Sequence, residues 1–216
     1  GRRREMDDIV SEVEAFPCRL LTLTGGEPLA QPDAFPLVSR LADRGFEVIG
    51  VDANRTMLAR AEAKVPGGDF RLGDLAALPV DDAAVDVVVC SLALTHLLEL
   101  GPAFHEFARV VRPGGTVIVS DMHPLYVTFG GAAVFPAASD GFELHFVRNH
   151  VHPVSHYVRA AIDAGLLIRE CREPEVPDAA ITTNPAHAVV ADAVRQALDG
   201  LPFLLVWRFE RPNGAA

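Results

Sequence analysis

The sequence has few cysteines and little positive charge. Its three cysteines, Cys18, Cys90 and Cys171, lie far apart in 216 residues. This spacing excludes a disulfide framework and the closely spaced thiolates of a zinc or iron–sulfur site. The formal charge is −10, from 19 basic and 29 acidic residues, which argues against a general affinity for nucleic acid or anionic membranes. We therefore expect no iron–sulfur cluster, no nucleic-acid partner and no membrane partner.

Long apolar runs are also lacking. The longest run, residues 83–98, is interrupted by Asp86, Ser91, Thr95 and His96 and is too short to cross a bilayer. No signal-peptide pattern precedes it, so a cytoplasmic location is the expectation. Half of the residues are hydrophobic and 22% are charged, which is typical of one globular domain. We expect this domain to span residues 1–216, with an atypical first βα unit over residues 1–45.

The chain is organised around residues 47–52, a short apolar segment that ends in Asp52. A buried parallel strand has this composition, and its last residue presents its side chain at the carboxyl edge of the sheet. In nucleotide-binding α/β folds, an acid at the end of the second strand accepts hydrogen bonds from ribose hydroxyls. The alternative is that Asp52 only caps the helix that begins near Asn54.

Strand patterns alternate with helical patterns along the rest of the chain, which predicts an α/β fold. Helices are predicted at residues 5–16, 33–44, 55–64, 102–111, 156–164 and 186–198. Strands are predicted at residues 19–24, 47–51, 69–72, 85–91, 116–120, 166–171 and 201–209, with a tight turn at 112–115. Residues 173–185 are predicted to be a loop. Residues 126–149 match no regular pattern and are interpreted as an excursion over the substrate side.

Four ordered motifs in residues 41–209 resemble class I S-adenosylmethionine-dependent methyltransferases of the small-molecule type. They are residues 48–53 (VIGVDA) with 57–61 (MLARA), residues 73–79 (GDLAALP), residues 86–96 (DVVVCSLALTH) and residues 109–115 (RVVRPGG). The resemblance implies a Rossmann-like three-layer α/β sandwich. Its seven-stranded, mostly parallel sheet would have an antiparallel last strand. The resemblance also implies S-adenosylmethionine as cofactor and a small molecule as methyl acceptor.

The resemblance implies roles for residues at the strand ends. Asp52 would hold the ribose hydroxyls, and Ala53 and Met57 would flank the adenine. Asp74 would accept a hydrogen bond from the adenine amino group, with Leu75 contributing a backbone amide. An ordinary turn aspartate is the alternative for Asp74.

Further roles concern the methionine end of the cofactor and the acceptor. Ser91 and Leu92 would border the methionine part. His123 is the candidate general base, because residues 121–124 leave the fifth predicted strand at the carboxyl edge; the alternative is a surface or loop histidine. His145, His150, His152 and His156 form a loose cluster without a recognised metal-ligand spacing, and we interpret them as scattered loop histidines.

The first loop departs from the methyltransferase pattern. Thr24, Gly25 and Gly26 are the predicted cofactor contacts there, but the family carries three glycines, and Pro28 stands where the last one belongs. Residues 6–46, with TLTGGEPL at 22–29, instead resemble a radical S-adenosylmethionine enzyme of the 7-carboxy-7-deazaguanine synthase group. Radical chemistry is excluded, because the three closely spaced cysteines are missing. One hypothesis is a chimera joined at residues 39–46.

Three functions are compatible with these patterns. The first is methyl transfer from S-adenosylmethionine to a small molecule, impaired by the altered glycine loop. The second is a non-catalytic or degenerate domain that binds a nucleoside or S-adenosylmethionine. The third is a nicotinamide-dependent enzyme, which Asp52 allows but which the missing glycine fingerprint and the missing Tyr/Lys pair disfavour.

Overall fold

The computed structural model describes residues 20–24, 45–129, 134–136, 144–146, 148–182 and 186–214. The helices predicted at residues 5–16 and 33–44, and the predicted contacts Gly25 and Gly26, lie outside these ranges. The suggested junction at residues 39–46 is described only in its last two residues.

Seven strands form one sheet in the order β3-β2-β1-β4-β5-β9-β8, and two short strands, β6 and β7, pair separately. Strands β3, β2, β1, β4 and β5 are parallel, β9 is antiparallel to β5, and β8 is antiparallel to β9. The α/β class predicted from the sequence is confirmed. The strand bounds are β1 Leu20–Thr24, β2 Glu47–Asp52, β3 Asp69–Leu72, β4 Val85–Ser91, β5 Val111–Met122, β6 Val134–Pro136, β7 Leu144–Phe146, β8 Leu167–Arg172 and β9 Leu204–Glu210.

The strand order places a crevice at the carboxyl edge of the sheet. From β1 the chain proceeds to β2 and β3 on one side, and then crosses to β4 and β5 on the other. Ligands of open parallel sheets bind outside the carboxyl ends of the strands at such a reversal. Thr24, the last residue of β1, pairs with Val51 of β2 and Cys90 of β4. The residues that follow these two partners, Asp52 and Ser91, therefore border the crevice.

Helix α1, Arg55–Lys64, has the bounds that the sequence predicts. Asn54 is its N-cap, and the Asn54 side chain accepts a hydrogen bond from the backbone N–H of Thr56 at 2.8 Å. Leu58 and Ala61 are its buried residues. The cap and the breaking sequence at residues 66–68 explain why this helix could be predicted so closely.

The core lies against the strands β4, β5 and β9. Helix α2, Gly101–Val110, contributes Phe104, whose ring packs edge-on against the ring of Phe209 in β9, with the ring centroids 5.4 Å apart. Helix α4, Val154–Asp163, contributes Tyr157, which stacks on Trp207 of β9. These aromatic contacts bury large apolar areas and fix α2 and α4 on the sheet.

Strand β5 begins five residues before its predicted start at Thr116. Val111 already pairs with Val85, and the register then shifts before Thr116 pairs with Val87. The predicted turn at residues 112–115 is therefore an irregularity within the strand, where Gly114 adopts a φ of +75°. Across this irregularity, the side chain of Arg112 donates a hydrogen bond to the carboxylate of Asp86 in the neighbouring strand β4.

The segment between β8 and β9 is more helical than predicted. Helix α5, Asp178–Thr182, lies inside the predicted loop, so that prediction is wrong over these residues. Helix α6, His187–Leu198, confirms the helix predicted at 186–198 and is kinked at Val190. Ile181 of α5 and Val194 of α6 pack together with Val176 in a small second cluster. The sequence does not predict α5, because a helix of five residues with one buried residue, Ile181, is too short to show a helical spacing of apolar residues.

Candidate functional site

Asp52 lies half-buried at the carboxyl end of β2. Its Oδ1 accepts a hydrogen bond from the backbone N–H of Asn54 at 2.7 Å. Burial raises the pKa of Asp52 and this hydrogen bond works to lower it. Asp52 therefore does not cap α1 itself but supports the capping residue. Within the described chain, its Oδ2 receives no hydrogen bond, and this oxygen is available to a ligand.

Asp74 follows β3, two residues beyond Leu72, the partner of Asp52. It is exposed, and its Oδ1 accepts a hydrogen bond from the N–H of Ala76 at 2.8 Å, while its carbonyl accepts one from Ala77. These hydrogen bonds are typical of a turn aspartate, the alternative to a ligand contact. The other carboxylate oxygen of Asp74, Oδ2, accepts no hydrogen bond from the described residues. The N–H of the half-buried Leu75 likewise has no acceptor among the described residues.

Gly73 brings this turn close to β2. Its N–H donates to the carbonyl of Asp52 at 3.1 Å. A Cβ at Gly73 would lie 2.4 Å from Cδ of Pro79 and 3.0 Å from Cγ1 of Val51. Only glycine allows this approach, so Gly73 sets the position of Asp74 relative to Asp52.

Arg109 of α2 holds the residues that follow this turn by hydrogen bonds. Its guanidinium donates to the carbonyls of Leu78 at 3.0 Å and Val80 at 2.8 Å. It also pairs with Glu106 and Asp82, each at 2.7 Å, and the hydrogen bonds from Glu106 and then Asp82 raise the pKa of Arg109. The Glu106 carboxylate in turn accepts a hydrogen bond from the N–H of Leu78 at 2.7 Å. Residues 78–82 are therefore held against α2.

Met57 and Ala53 flank the end of β2. Ala53 is exposed immediately after Asp52, and Met57 is half-buried in the first turn of α1. Thr24 ends β1 at the centre of the same edge. The structure thus brings Thr24, Asp52, Ala53, Met57 and Asp74 to one edge of the sheet, and their role as cofactor contacts stays a prediction.

Ser91 ends β4 on the other side of the crevice, and Leu92 follows it. The hydroxyl of Ser120 in β5 donates to Oγ of Ser91 at 2.8 Å. Leu92 has a φ of +54°, and its N–H donates to the carbonyl of Ser120 at 2.8 Å. A left-handed leucine costs roughly 1–2 kcal/mol, and such strain is found most often at functional sites.

His123 lies just beyond β5 and is 7% exposed. It is the N-cap of helix α3, Pro124–Thr128, because its Nδ1 accepts a hydrogen bond from the N–H of Leu125 at 3.1 Å. Its Nε2 therefore carries the proton and donates to Oε1 of Glu173 at 3.1 Å. Both ring nitrogens have partners, so the geometry favours a capping role, and the role of His123 as a base stays a prediction.

Asp121 was not singled out from the sequence, yet it is fully buried at the end of β5. Burial raises its pKa to about 6, while the N–H groups of Met122 and Thr95 and the hydroxyl of Tyr157 work to lower it. The Tyr157 hydroxyl donates to Oδ2 at 2.9 Å. The sequence offers one signal for this residue, an acid within an apolar strand. A carboxylate buried there requires hydrogen-bond partners from the rest of the fold.

Three of the clustered histidines come together beside the loop that follows β4. The ring centroids of His150 and His152 are 6.4 Å apart, and those of His152 and His156 are 6.2 Å apart. His152 donates through Nε2 to the carbonyl of Leu97 at 2.9 Å. The described residues contain no group of three side chains placed to hold a metal ion. His145 lies in β7, and its side chain is outside the described part of the chain.

The chain is similar to methyltransferases in sequence. Residues 36–119 match the family model described as a methyltransferase domain. A probable S-adenosylmethionine-dependent methyltransferase of Mycolicibacterium smegmatis is 42% identical over 89 residues, which cover 41% of this chain and 34% of that protein. A demethylmenaquinone methyltransferase of Renibacterium salmoninarum is 36% identical over 89 residues, 41% of this chain and 38% of that protein. The matches thus span about a third of the length of these curated relatives.

The fold is similar to solved methyltransferase structures. An S-adenosylmethionine-dependent methyltransferase of Mesorhizobium loti has a TM-score of 0.62 and 23% identity, and the alignment covers 96% of this chain and 100% of that one. Together these findings show a likeness to methyltransferase domains over residues 36–119 and a fold shared with a solved methyltransferase. They give no support for a radical-enzyme segment or a chimera, since the family match crosses the suggested junction. No helix among the described residues has the length and apolar character to cross a membrane.

Proposed function

We propose that the chain is an S-adenosylmethionine-dependent methyltransferase that acts on a small-molecule acceptor. The observation that carries this proposal is Asp52, half-buried at the carboxyl end of β2, with one oxygen fixed by Asn54 and the other without a described donor. A carboxylate fixed in this way suits a pair of ribose hydroxyls. Its place beside the crevice between β1 and β4 supports the same ligand.

The residues around Asp52 fit the rest of the cofactor. The second oxygen of Asp74 can accept from an amino group, and the N–H of Leu75 can donate to a ring nitrogen. Met57 offers a soft apolar contact to a flat ring. Ser91 and Leu92 lie across the crevice, where they would border the methionine part.

Methyl transfer from a sulfonium requires little acid–base catalysis by the protein. The bound cofactor supplies a methyl group already activated by a sulfonium, so the protein's contribution is to align the acceptor for in-line attack and to exclude water. No base is required for acceptors that are already nucleophilic, which agrees with the capping geometry of His123. The charge of −10 supports a small molecule over a nucleic acid as acceptor.

A second candidate is a domain that binds the cofactor or a nucleoside without catalysis. The altered first loop favours it, because Gly25 and Gly26 are followed by Pro28 where the family carries another glycine. Fewer glycines limit how closely the backbone can approach a ligand.

Calorimetric titration with S-adenosylmethionine and S-adenosylhomocysteine tests the proposal. We expect micromolar binding, and we expect Asp52→Ala to weaken it about tenfold to a hundredfold, since a hydrogen-bonded charge is lost. Asp163→Ala is the matched control, because Asp163 is exposed at the end of α4 that precedes β8, at the opposite edge. Absence of binding by the cooperatively folded wild type would overturn the proposal. Transfer of a labelled methyl group to candidate acceptors then separates catalysis from binding alone.

A further inference from the structure

Strands β4 and β5 both change from apolar residues to a serine at the same rung of their ladder. Val89 of β4 pairs with Ile118 of β5, and two residues later Ser91 pairs with Ser120 in the last pair of this parallel ladder. Alternate residues of a strand lie on one face of the sheet, so the two serines continue an apolar row at the carboxyl edge. Both serines are half-buried. The sheet therefore presents two neighbouring hydroxyls beside the crevice.

A hydrogen bond joins these two hydroxyls. The hydroxyl of Ser120 donates to Oγ of Ser91 at 2.8 Å. A serine hydroxyl carries one proton and two lone pairs, so this bond uses the proton of Ser120 and leaves the proton of Ser91. In the part of the chain that the structure describes, the Ser91 hydroxyl donates to no acceptor. Its proton is therefore available to a ligand in the crevice.

Ser120 also holds the residue that follows Ser91. The N–H of Leu92 donates to the carbonyl of Ser120 at 2.8 Å, and Leu92 has a φ of +54°. Ser120 itself lies in a strand that is paired on both sides, with Ser91 of β4 and with Val206 of β9. A strand held in this way is a rigid support for a side chain. Two consecutive residues at the exit of β4 are thus fixed from β5.

The stability of the sheet does not require this pair of hydroxyls. Replacing both partners of a hydrogen bond by apolar groups of the same shape can be nearly neutral, and the neighbouring rung on this face is occupied by Val89 and Ile118. A chain of hydrogen bonds that ends on a ligand gains more, because each group polarises the next. The pair is therefore better suited to holding a ligand than to holding the two strands together.

We propose that Ser120 is a positioning residue that directs the Ser91 hydroxyl to the carboxylate of the cofactor's methionine part. This inference rests on the proposed function, which places Ser91 beside that part of the cofactor. A carboxylate only accepts hydrogen bonds, so it can take the proton that the serine pair leaves available. The ammonium group at the same end of the cofactor only donates and cannot take it. Ser120 acts through Ser91 and does not itself contact the cofactor.

Two variants at position 120 of the full chain have the same shape and differ in the hydroxyl. Ser120→Thr keeps the donor to Ser91, and Ser120→Val puts a methyl group in its place. We expect the Thr variant to bind S-adenosylhomocysteine as the wild type does, and the Val variant to bind it about threefold to tenfold more weakly. Urea unfolding of both variants reports any loss of stability from the added branch. Equal affinities of the two variants for this ligand would overturn the proposal.

Ligands without the carboxylate separate positioning from a general change in the site. The decarboxylated analogue of S-adenosylhomocysteine keeps the ammonium group, and 5′-methylthioadenosine lacks the whole amino-acid part. We expect the Thr and Val variants to bind each of these two ligands with equal affinity, because neither ligand can accept the Ser91 proton at that position. If the Val variant also binds both of them more weakly, by the same factor as S-adenosylhomocysteine, then Ser120 supports the site as a whole and the proposal is wrong.

Ser91→Ala tests the contact with the carboxylate without any change in β5. We expect it to weaken S-adenosylhomocysteine binding about tenfold, since a hydrogen bond to a charged group is lost, and to remove the difference between the Thr and Val variants when it is combined with each. A difference that remains would mean that Ser120 does not act through Ser91. A wild type that binds neither S-adenosylhomocysteine nor 5′-methylthioadenosine overturns the proposed function and this inference with it. A wild type that binds both, together with a Ser91→Ala variant of equal affinity, overturns this inference alone.

Discussion

His123 joins the exit of β5 to Glu173, which lies 50 residues further along the chain. Its Nε2 donates to Oε1 of Glu173 at 3.1 Å while its Nδ1 caps α3. The backbone N–H of His123 also donates to the carbonyl of Phe203 at 2.9 Å. His123 therefore connects the end of β5 to both ends of the segment that carries α5 and α6. To act as a base, its ring would have to give up the hydrogen bond from the Leu125 N–H that caps α3.

The capping role predicts different effects for two substitutions. His123→Ala removes the acceptor for the Leu125 N–H, and we expect it to lower the free energy of unfolding by about 1 kcal/mol. We expect His123→Asn to recover part of this loss, because asparagine is a good N-cap. Urea unfolding measures both, and calorimetry should show little change in S-adenosylhomocysteine affinity. An equal, large loss of methyl transfer in both variants, with unfolding unchanged, would instead indicate a chemical role.

Gly73 offers a second prediction, since a Cβ there would lie 2.4 Å from Cδ of Pro79. We expect Gly73→Ala to lower the free energy of unfolding by about 1–3 kcal/mol, the typical cost of an overpacked site, and to weaken cofactor binding because Asp74 moves away from Asp52. Gly101→Ala is the control: it adds the same methyl group at the start of α2, where nothing lies within 4 Å. Chemical unfolding and calorimetry compare the two. Wild-type behaviour of Gly73→Ala would show that the turn accommodates a side chain.

Local signals account for the parts of the fold and site that the sequence predicts. Helix α1 has both an N-cap at Asn54 and a break at residues 66–68, so its bounds need no tertiary information. Asp52 and Ser91 could be placed at one edge because parallel strands share their carboxyl ends. These predictions depend on residues near one another in the chain.

Contacts between distant residues account for what the sequence does not predict. Asp121 and Tyr157 are 36 residues apart, and nothing in either segment indicates that they form a hydrogen bond. The sequence around His123 is that of an ordinary loop, and only the fold places Glu173 within hydrogen-bond distance of its ring. Pairing of Val111 with Val85 extends β5 through a stretch that has the residues of a turn. In each case, tertiary contacts override the local pattern.

Arg109 provides a third prediction, because it donates to two carbonyls of the segment that follows Asp74 as well as to Glu106 and Asp82. We expect Arg109→Met to lower the free energy of unfolding by about 2 kcal/mol, as hydrogen bonds from a charged donor are lost, and to weaken cofactor binding. Arg169→Met is the matched control; its pair with Glu210 joins β8 to β9 at the protein surface, so we expect little change. Urea unfolding of both variants tests this, and equal effects would contradict it.

Asp121 gives a prediction for the pH dependence of stability. Its pKa in the folded protein, about 6, lies above the ordinary value of 3.8. The folded state therefore holds the Asp121 proton more tightly than the unfolded state. Stability from this group is full below pH 4 and is lost as the pH rises to about 6. The loss amounts to about 3 kcal/mol for a shift of this size.

The difference between wild type and Asp121→Asn isolates this loss from other titrations, such as those of Glu106 and His152, whose lowered pKa values act in the opposite direction. We expect the free energy of unfolding of the wild type, minus that of Asp121→Asn, to fall between pH 4 and pH 7. Tyr157→Phe keeps the titrating carboxyl but removes a hydrogen bond that works to lower the pKa of Asp121, so we expect the same fall to extend to higher pH. Urea unfolding at intervals of half a pH unit measures all three proteins. A difference that stays constant over this range would mean that Asp121 ionises in the folded protein as it does in the unfolded chain, and that its surroundings compensate its burial fully.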